Sequence, residues 1–409
     1  MDTRLVPELK NNRHALAAQD AISKCVHCGF CLATCPTYNL LGDELDSPRG
    51  RIYLVKQVLE GHAPTAATQT HLDRCLTCRN CETTCPSGVP YHQLIDSGRA
   101  LVEERVPRSV FQKLKRKSLL LVLPYRDRLA PLLKLGRLVR PVLPGAIKAS
   151  VPVAVAEGTW PEARHARRML VLQGCAQAAI TPQTNTACAR VLDALSISLI
   201  AVPSSGCCGA VHHHLNEQDP AKAMMKNNID AWWPEIEAGA EAIITSASGC
   251  GAMVKDYGHL LSDDTEYASK AARITELTKD IAEVIAHEDV SPVRSAAAAV
   301  GKVAFHPPCT LQHGQKLPQV TERLLGQLGF QLTAFNDAHT CCGSAGTYSL
   351  FQPEISKKLQ RNKLDNLLAS EPDVIATANI GCQLHLQSGS GRPVLHWIEL
   401  LDKAIAQTN

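Results

Sequence analysis

Cysteine is the residue that could do chemistry in this chain, which carries 17 of them in 409 residues. Cys25, Cys28, Cys31 and Cys35 stand before Pro36, and Cys75, Cys78, Cys81 and Cys85 stand before Pro86. Each run reads C-x2-C-x2-C-x3-C-P, the spacing that wraps a cubane 4Fe–4S cluster. Three thiolates spaced two residues apart reach three irons of one cube. The fourth lies just beyond, at the start of a helix or turn, and points to the partner cube. The expected quartets are therefore crossed: Cys25, Cys28, Cys31 and Cys85 for one cluster, and Cys75, Cys78, Cys81 and Cys35 for the other. A pair of zinc sites fits poorly, because zinc sites use Cys pairs, often with His. Two such clusters in one module accept and donate single electrons.

The elements around the runs suit that task. Between them, Ser47 is placed to cap a helix with Pro48 at its first position and Gly61 past its end. Ile52, Val55, Val58 and Leu59 make its buried stripe. No G-x-G-x-x-G opens a strand–helix unit, and there is no P-loop or G-x-S-x-G. Flavin and nicotinamide are thus expected on a partner, which must supply the electrons.

Residues 108–148 hold eleven Lys or Arg against one acid, Asp127. The stretch contributes +10 to a net charge of +3, leaving −7 for the rest. Pro124, Pro131 and Pro141 are expected to divide it into short amphipathic helices. Three readings stay open: helices bridging two domains, docking on an acidic partner, or contact with an anionic membrane surface. Residues 149–166 read as a linker. The small net charge gives no reason to expect nucleic acid. The first twenty residues lack a secretory pattern and no run reaches the ~18 apolar residues of a membrane span. The expected location is cytoplasmic, with a peripheral place on the cytoplasmic face of the inner membrane as the finer reading.

The second half repeats itself. Cys175, Cys207-Cys208-Gly209 and Cys250 form one set, and Cys309, Cys341-Cys342-Gly343 and Cys382 form another. The offset is 134 residues at the first three positions and 132 at the last. Two copies of one domain explain that agreement. Each copy alternates strand and helix, so a parallel sheet with helices on both faces is expected. Each key Cys falls at or beyond the C-terminal end of a strand, where such sheets bind ligands. A further metal or cluster per repeat is the leading reading, beside a redox disulfide or buried structural thiols. Cys188 is left over and reads as core. His212, His213 and His214 point in different directions and cannot all be ligands. His306 and His313 flank Cys309, where a supporting role is open.

The expected architecture is α+β and α-rich. A helical two-cluster ferredoxin-like domain spans 1–105 and a basic helical connector with linker spans 106–166. Two α/β Cys-Cys-Gly repeats with parallel sheets follow, at 167–290 and 291–409. This combination resembles the family of the glycolate oxidase iron–sulfur subunit. That family also holds the third subunit of anaerobic glycerol-3-phosphate dehydrogenase and the Cys-Cys-Gly subunits of heterodisulfide reductase. The stretches CVHCGFCLATCPTYNLLGDELDSPRGRIYLVKQVLEG, HLDRCLTCRNCETTCPSGV, CCGSAGTYSL and TANIGCQLHL carry the likeness. The resemblance implies an electron-transfer subunit serving glycolate oxidation to glyoxylate. Flavin-bearing glycolate oxidase subunits would be its partners, and a quinone or other membrane acceptor would receive the electrons. Two alternatives remain: the equivalent subunit of a glycerol-3-phosphate or lactate dehydrogenase, and a disulfide-reducing subunit. The last is weakened by Ala247 and Asn379, which stand where heterodisulfide reductase has the first Cys of a C-x-x-C pair.

Overall fold

The computed structural model describes residues 1–142, 144, 151–294 and 297–406. They form two units. One comprises residues 1–116 with 214–216 and 339–363; the other comprises the described residues within 117–213, 217–338 and 364–406.

The first unit is built on short helices. Ser47 caps the helix Pro48–Leu59 by accepting from the Gly50 N–H at 2.9 Å, with Pro48 at its first position, as its sequence predicts. Gly61 follows with φ +94°. Ile52, Val55, Val58 and Leu59 are buried against Leu94, Ile95, Leu101 and Val102 of the helix Tyr91–Arg105. At the crossing, a Cβ on Gly98 would meet Val55 Cγ2 at 2.4 Å, so the two helices touch through a glycine. Residues 339–363 join this unit by named bonds. Asn80 Nδ2 donates to Thr34 O and to His339 O, and Tyr348 OH donates to Arg74 O.

Two four-stranded sheets organise the second unit. The first uses β1 (Arg167–Val171), β2 (Ile197–Ala201), β3 (Ile243–Thr245) and β4 (Thr278–Asp280), in the order β2-β1-β3-β4. The second uses β5 (Lys302–His306), β6 (Gln331–Leu332), β7 (Val374–Thr377) and β8 (Val394–His396), in the order β6-β5-β7-β8. Every pairing is parallel. One order repeated in both halves matches the reading of two copies. The edge strands β4 and β8 are absent from the sequence expectation, because neither leads into a cysteine of the repeat. One core joins the sheets, with Val171, Leu192 and Ile244 packed with Phe305, Ala376 and Trp397. Cys188 is fully buried there, as a core residue.

The basic stretch forms the helices Val110–Val122 and Arg126–Val139. Pro131 lies inside the second rather than dividing it. Proline has no N–H to donate, so the helix gives up one hydrogen bond there and continues.

Two buried titratable groups in the second unit, His396 and Asp280, set a pH response. Burial holds the His396 imidazole down to about 4, against 6.5 when free, and it is neutral. Its Nε2 donates to Ser246 O at 2.9 Å while its Nδ1 accepts from the Ile398 N–H. Burial pushes the Asp280 carboxyl up from 3.8 to about 7. His396 therefore withdraws stability as the pH falls from 6.5 to about 4, and Asp280 withdraws it as the pH rises from 3.8 to about 7. The two slopes oppose each other in nearly the same window. Asp280→Asn keeps an oxygen to accept from the Ala282 N–H, which Asp280 now caps. This variant should lose thermal stability on acidification from pH 6.5 to 4 while the parent stays nearly level. Melting curves across that range check it, and parallel pH profiles would refute the opposing slopes.

Candidate iron–sulfur and thiol sites

The two N-terminal runs fold as near copies offset by 50 residues. His27 and Gly29 take positive φ in the first loop, and Thr77 and Arg79 do so at the matching positions of the second. Side chains larger than glycine rarely adopt that region, and successive residues in it turn backbone N–H groups toward one concave side. Thr77 N–H points to Cys75 Sγ at 3.4 Å. Cys35 then stands at the N-cap position of the helix Pro36–Leu41 without a side-chain capping bond, and Pro36 occupies the first helical position. Sequence spacing alone does not reveal these left-handed residues.

Two pockets lie against the loops. Cys25, Cys28, Cys31 and Cys85 line one with Pro48, Arg49, Ile52 and Tyr91. Cys35, Cys75, Cys78 and Cys81 line the other with Thr37, Arg51, Arg79 and Tyr91. Cys81 borders both. Burial and the neighbouring Cys25 push the Cys31 thiol up to about 11. Burial, then Cys78 and Cys75, raise Cys81. Thiols gathered this way resist losing their protons unless a cation binds among them. The donor set, soft and purely sulfur, fits iron–sulfur clusters.

The pockets differ in surroundings. All four thiols of the second are buried, whereas Cys28 of the first is exposed and Cys31 and Cys85 are partly so. Arg99 clamps the second loop from outside, donating to Leu72 O, Cys75 O and Thr77 Oγ1. Tyr348 packs nearby; burial raises its hydroxyl, with Arg51 opposing and Cys75 and Cys341 adding to the rise. Neither Tyr348 nor Arg99 is foreseen from the sequence, because each acts from far along the chain.

In the first repeat the structure brings all four thiols together. Cys175 follows β1, the pair Cys207-Cys208 follows β2, and Cys250 lies on the helix Ser248–Lys255 after β3. Cys175 interacts with Cys207, Cys207 with Cys208, and Cys208 with Cys250, so the four thiols are linked one to the next. The neighbouring Cys207 and burial raise Cys175; Cys207 lowers Cys208, but Cys250 and burial outweigh it and Cys208 is raised. Asn228 and Tyr257, both fully buried, fix the pair by its carbonyls. Asn228 Nδ2 donates to Cys207 O and Tyr257 OH donates to Cys208 O, each at 2.9 Å. Gly209 has φ +88° and a Cβ on it would come 3.1 Å from Ala221 O, so the backbone passes close there. The histidines are engaged elsewhere: His212 meets Tyr125 edge-on and His213 Nδ1 pairs with Gln218 Oε1.

The second repeat places Cys309 after β5 and Cys382 on the helix Ile380–Gln387 after β7. Cys341 and Cys342 are buried in the first unit, where the Gly343 N–H donates to Cys341 Sγ at 3.4 Å. Asn379 donates to Cys382 Sγ at 3.5 Å and accepts from the Gly249 N–H. An amide thus faces the thiol where a fifth cysteine would stand. His306 ends β5 and is fully buried, and His313 is buried as well.

Residues 21–89 match the 4Fe-4S dicluster domain, and residues 169–255 and 303–387 each match the Cysteine-rich domain. The glycolate oxidase iron-sulfur subunit of Escherichia coli is 52% identical over 99% of both chains. The chain belongs to the glycolate oxidase iron–sulfur subunit family. Another family member, the probable glycolate oxidase iron-sulfur subunit of Bacillus subtilis, is 31% identical over 94% of this chain and 93% of its own. Lactate utilization protein A of an Exiguobacterium species is 28% identical over 57% of this chain and 96% of its own. The family likeness covers the ferredoxin-like domain and both repeats, so the chain is a two-cluster iron–sulfur protein.

Proposed function

We propose that this chain is the electron-transfer subunit of a flavin-dependent glycolate oxidase. The observation that carries this is the pair of thiol-lined pockets side by side, with Tyr91 and Cys81 on both, in a family member matched end to end. Oxidising glycolate to glyoxylate releases two electrons and two protons to a partner flavin. When bound, the clusters take those electrons one at a time. The protein's part is to hold the quartets crosswise, Cys85 completing the first and Cys35 the second, and to keep water from the second. Purifying a tagged chain from its own cells tests the reading. Flavoprotein subunits whose flavin glycolate bleaches should come with it, and acceptor reduction should require both. Flavoproteins reduced by lactate instead would redirect the assignment to the reaction named in the Exiguobacterium relative.

The first repeat supports a further metal or cluster on Cys175, Cys207, Cys208 and Cys250; for the second, the sequence repeat alone suggests the corresponding Cys309, Cys341, Cys342 and Cys382. Cys208→Ala should lower iron by about four atoms per chain if the group is a four-iron cluster. An unchanged iron count and spectrum would leave these thiols structural.

The acceptor is proposed to lie at a membrane, reached through the basic helices. No helix among the described residues is long and apolar enough to cross one. Phe111, Leu114, Leu132, Leu135 and Leu138 are exposed beside exposed Lys113, Lys117 and Lys134. Lys115 and Arg116 are occupied, by Leu350 O and by Asp73 and Glu103. Replacing Lys113, Lys117 and Lys134 by Gln should weaken sedimentation with anionic vesicles about fivefold per charge at low salt. Binding that is unchanged would remove the membrane from this reading.

A further inference from the structure

One short segment, Glu44 to Arg51, supplies a charged wall to both pockets. Arg49 lines the first and Arg51 the second, both from the first turn of the helix Pro48–Leu59. Each is paired with an acid of the preceding 3-10 turn. Arg49 Nε meets Glu44 Oε1 at 2.8 Å, and the Arg51 guanidinium meets Asp46 Oδ1 at 3.3 Å. The two pairs differ in their access to water. The Arg49 side chain is 30% exposed and Glu44 45%, whereas Arg51 is 1% and Asp46 0%.

Arg51 is held from three sides. Its Nε donates to His71 O at 2.7 Å and one terminal nitrogen donates to Thr37 Oγ1, while the other faces Asp46. Asp46 also takes Arg74 at 2.9 Å and His71 Nδ1 at 3.0 Å, so it is shared among three partners. Thr37 Oγ1 lies 3.3 Å from Cys35 Sγ, which links the guanidinium to a thiol of the second quartet. Burial works against the charge on Arg51, but Cys75, Tyr91, Cys35 and Asp46 more than offset it, and Arg51 remains protonated. A cation kept dry beside thiolates acts through a low dielectric, whereas one open to water is screened.

We infer that Arg51 and Arg49 are separate potential-setting residues, Arg51 for the cluster held by Cys75, Cys78, Cys81 and Cys35 and Arg49 for the other. The inference rests on the crossed quartets proposed above. Adding an electron makes a thiolate-held cluster more negative, so a fixed neighbouring cation favours the reduced form and raises the potential. Because Arg51 is dry, its effect is the larger of the two and resists salt. Arg49 gives a smaller effect that fades as salt is added. The pair of arginines thereby sets the two potentials independently from one helix turn.

Potentiometric EPR titration of the full chain, loaded anaerobically, tests this. Arg51→Met should shift one of the two midpoints downward and leave the other in place, at low and high salt alike. Arg49→Met should shift the other midpoint by less, with the shift shrinking in high salt. Asp46→Asn removes the shared anion and should move the Arg51-dependent midpoint upward, the opposite sign. Arg51→Lys should return that midpoint toward the parent value. Midpoints unmoved by Arg51→Met, or both moved equally, would overturn the inference. Should Arg51→Met fail to load iron, Asp46→Asn and Arg51→Lys decide by the same signs. Iron and sulfide counts on the parent keep this result apart from the quartet assignment: a chain lacking two clusters sinks that assignment first.

Discussion

Cys78→Ser is expected to cut iron from about eight to about four atoms in the ferredoxin-like domain and to stop electron delivery to the acceptor. Cys78 is buried, and it sits between Thr77 and Arg79, whose positive φ angles aim the loop inward. Its sulfur cannot be replaced from solvent, and a serine oxygen is a harder, poorer ligand for iron in such a cluster. Cys28 in the first loop is exposed, so water or an added thiol has a route to the vacated position in Cys28→Ser. The serine variants should therefore differ: Cys78→Ser loses its cluster outright, and Cys28→Ser loses it less completely when thiol is supplied. Acceptor reduction in the assembled complex should fall to background for Cys78→Ser, because one of the two clusters of the relay is missing. Iron and sulfide counts, EPR of the reduced protein and acceptor kinetics check this together. Full iron with full transfer would sink the relay.

What could be read beforehand was what chemistry imprints locally. The C-x2-C-x2-C-x3-C-P runs need only nearby residues, so both loops were legible, as were Ser47 and Pro48 at a helix start. The 134-residue offset was legible because duplication keeps spacing. Strands β1, β2, β3, β5 and β7 announce themselves as apolar runs before each Cys. The strands β4 and β8 do not: Thr278-Lys279-Asp280 is polar and pairs beside β3, and Val394-Leu395-His396 leads into no cysteine. Arg51 and Asp46 look like surface charges in the string DELDSPRGR. Their burial depends on His71, Arg74 and Thr37, which arrive from other helices. Least legible was the membership of residues 339–363 in the unit of the N-terminal loops. The bond from Asn80 to His339 spans 259 positions, and no periodicity reports a contact of that range.

The close approach of the helix start to the turn Glu44–Asp46 explains why Gly50→Ala should be the most damaging single-methyl change in the first unit. In a helix interior, alanine is ordinarily favoured over glycine by about 1 kcal/mol. Here a Cβ would lie 1.9 Å from Glu44 O and 2.7 Å from Glu44 C, both backbone atoms with no rotamer to yield. The helix start must move off the 3-10 turn Glu44–Asp46 by more than an ordinary side-chain adjustment. Overpacking of that kind costs about 3 kcal/mol, which exceeds the propensity gain. That is a large share of the ~5–15 kcal/mol that holds a domain folded. The movement also draws Ser47 away from the Gly50 N–H and spreads Arg49 from Glu44 and Arg51 from Asp46, so both pockets lose a wall at once. Gly42→Ala is the matched control: its Cβ meets nothing within 4 Å, and only its φ of +69° is strained. That strain costs about 1 kcal/mol. Gly50→Ala should accordingly lower the urea midpoint of the iron-loaded chain by roughly 1–2 M and release iron early, with Gly42→Ala moving it about half as far. Equal midpoints for the two variants would mean that the turn and the helix are not locked together, and the two-arginine wall would lose its rigid base.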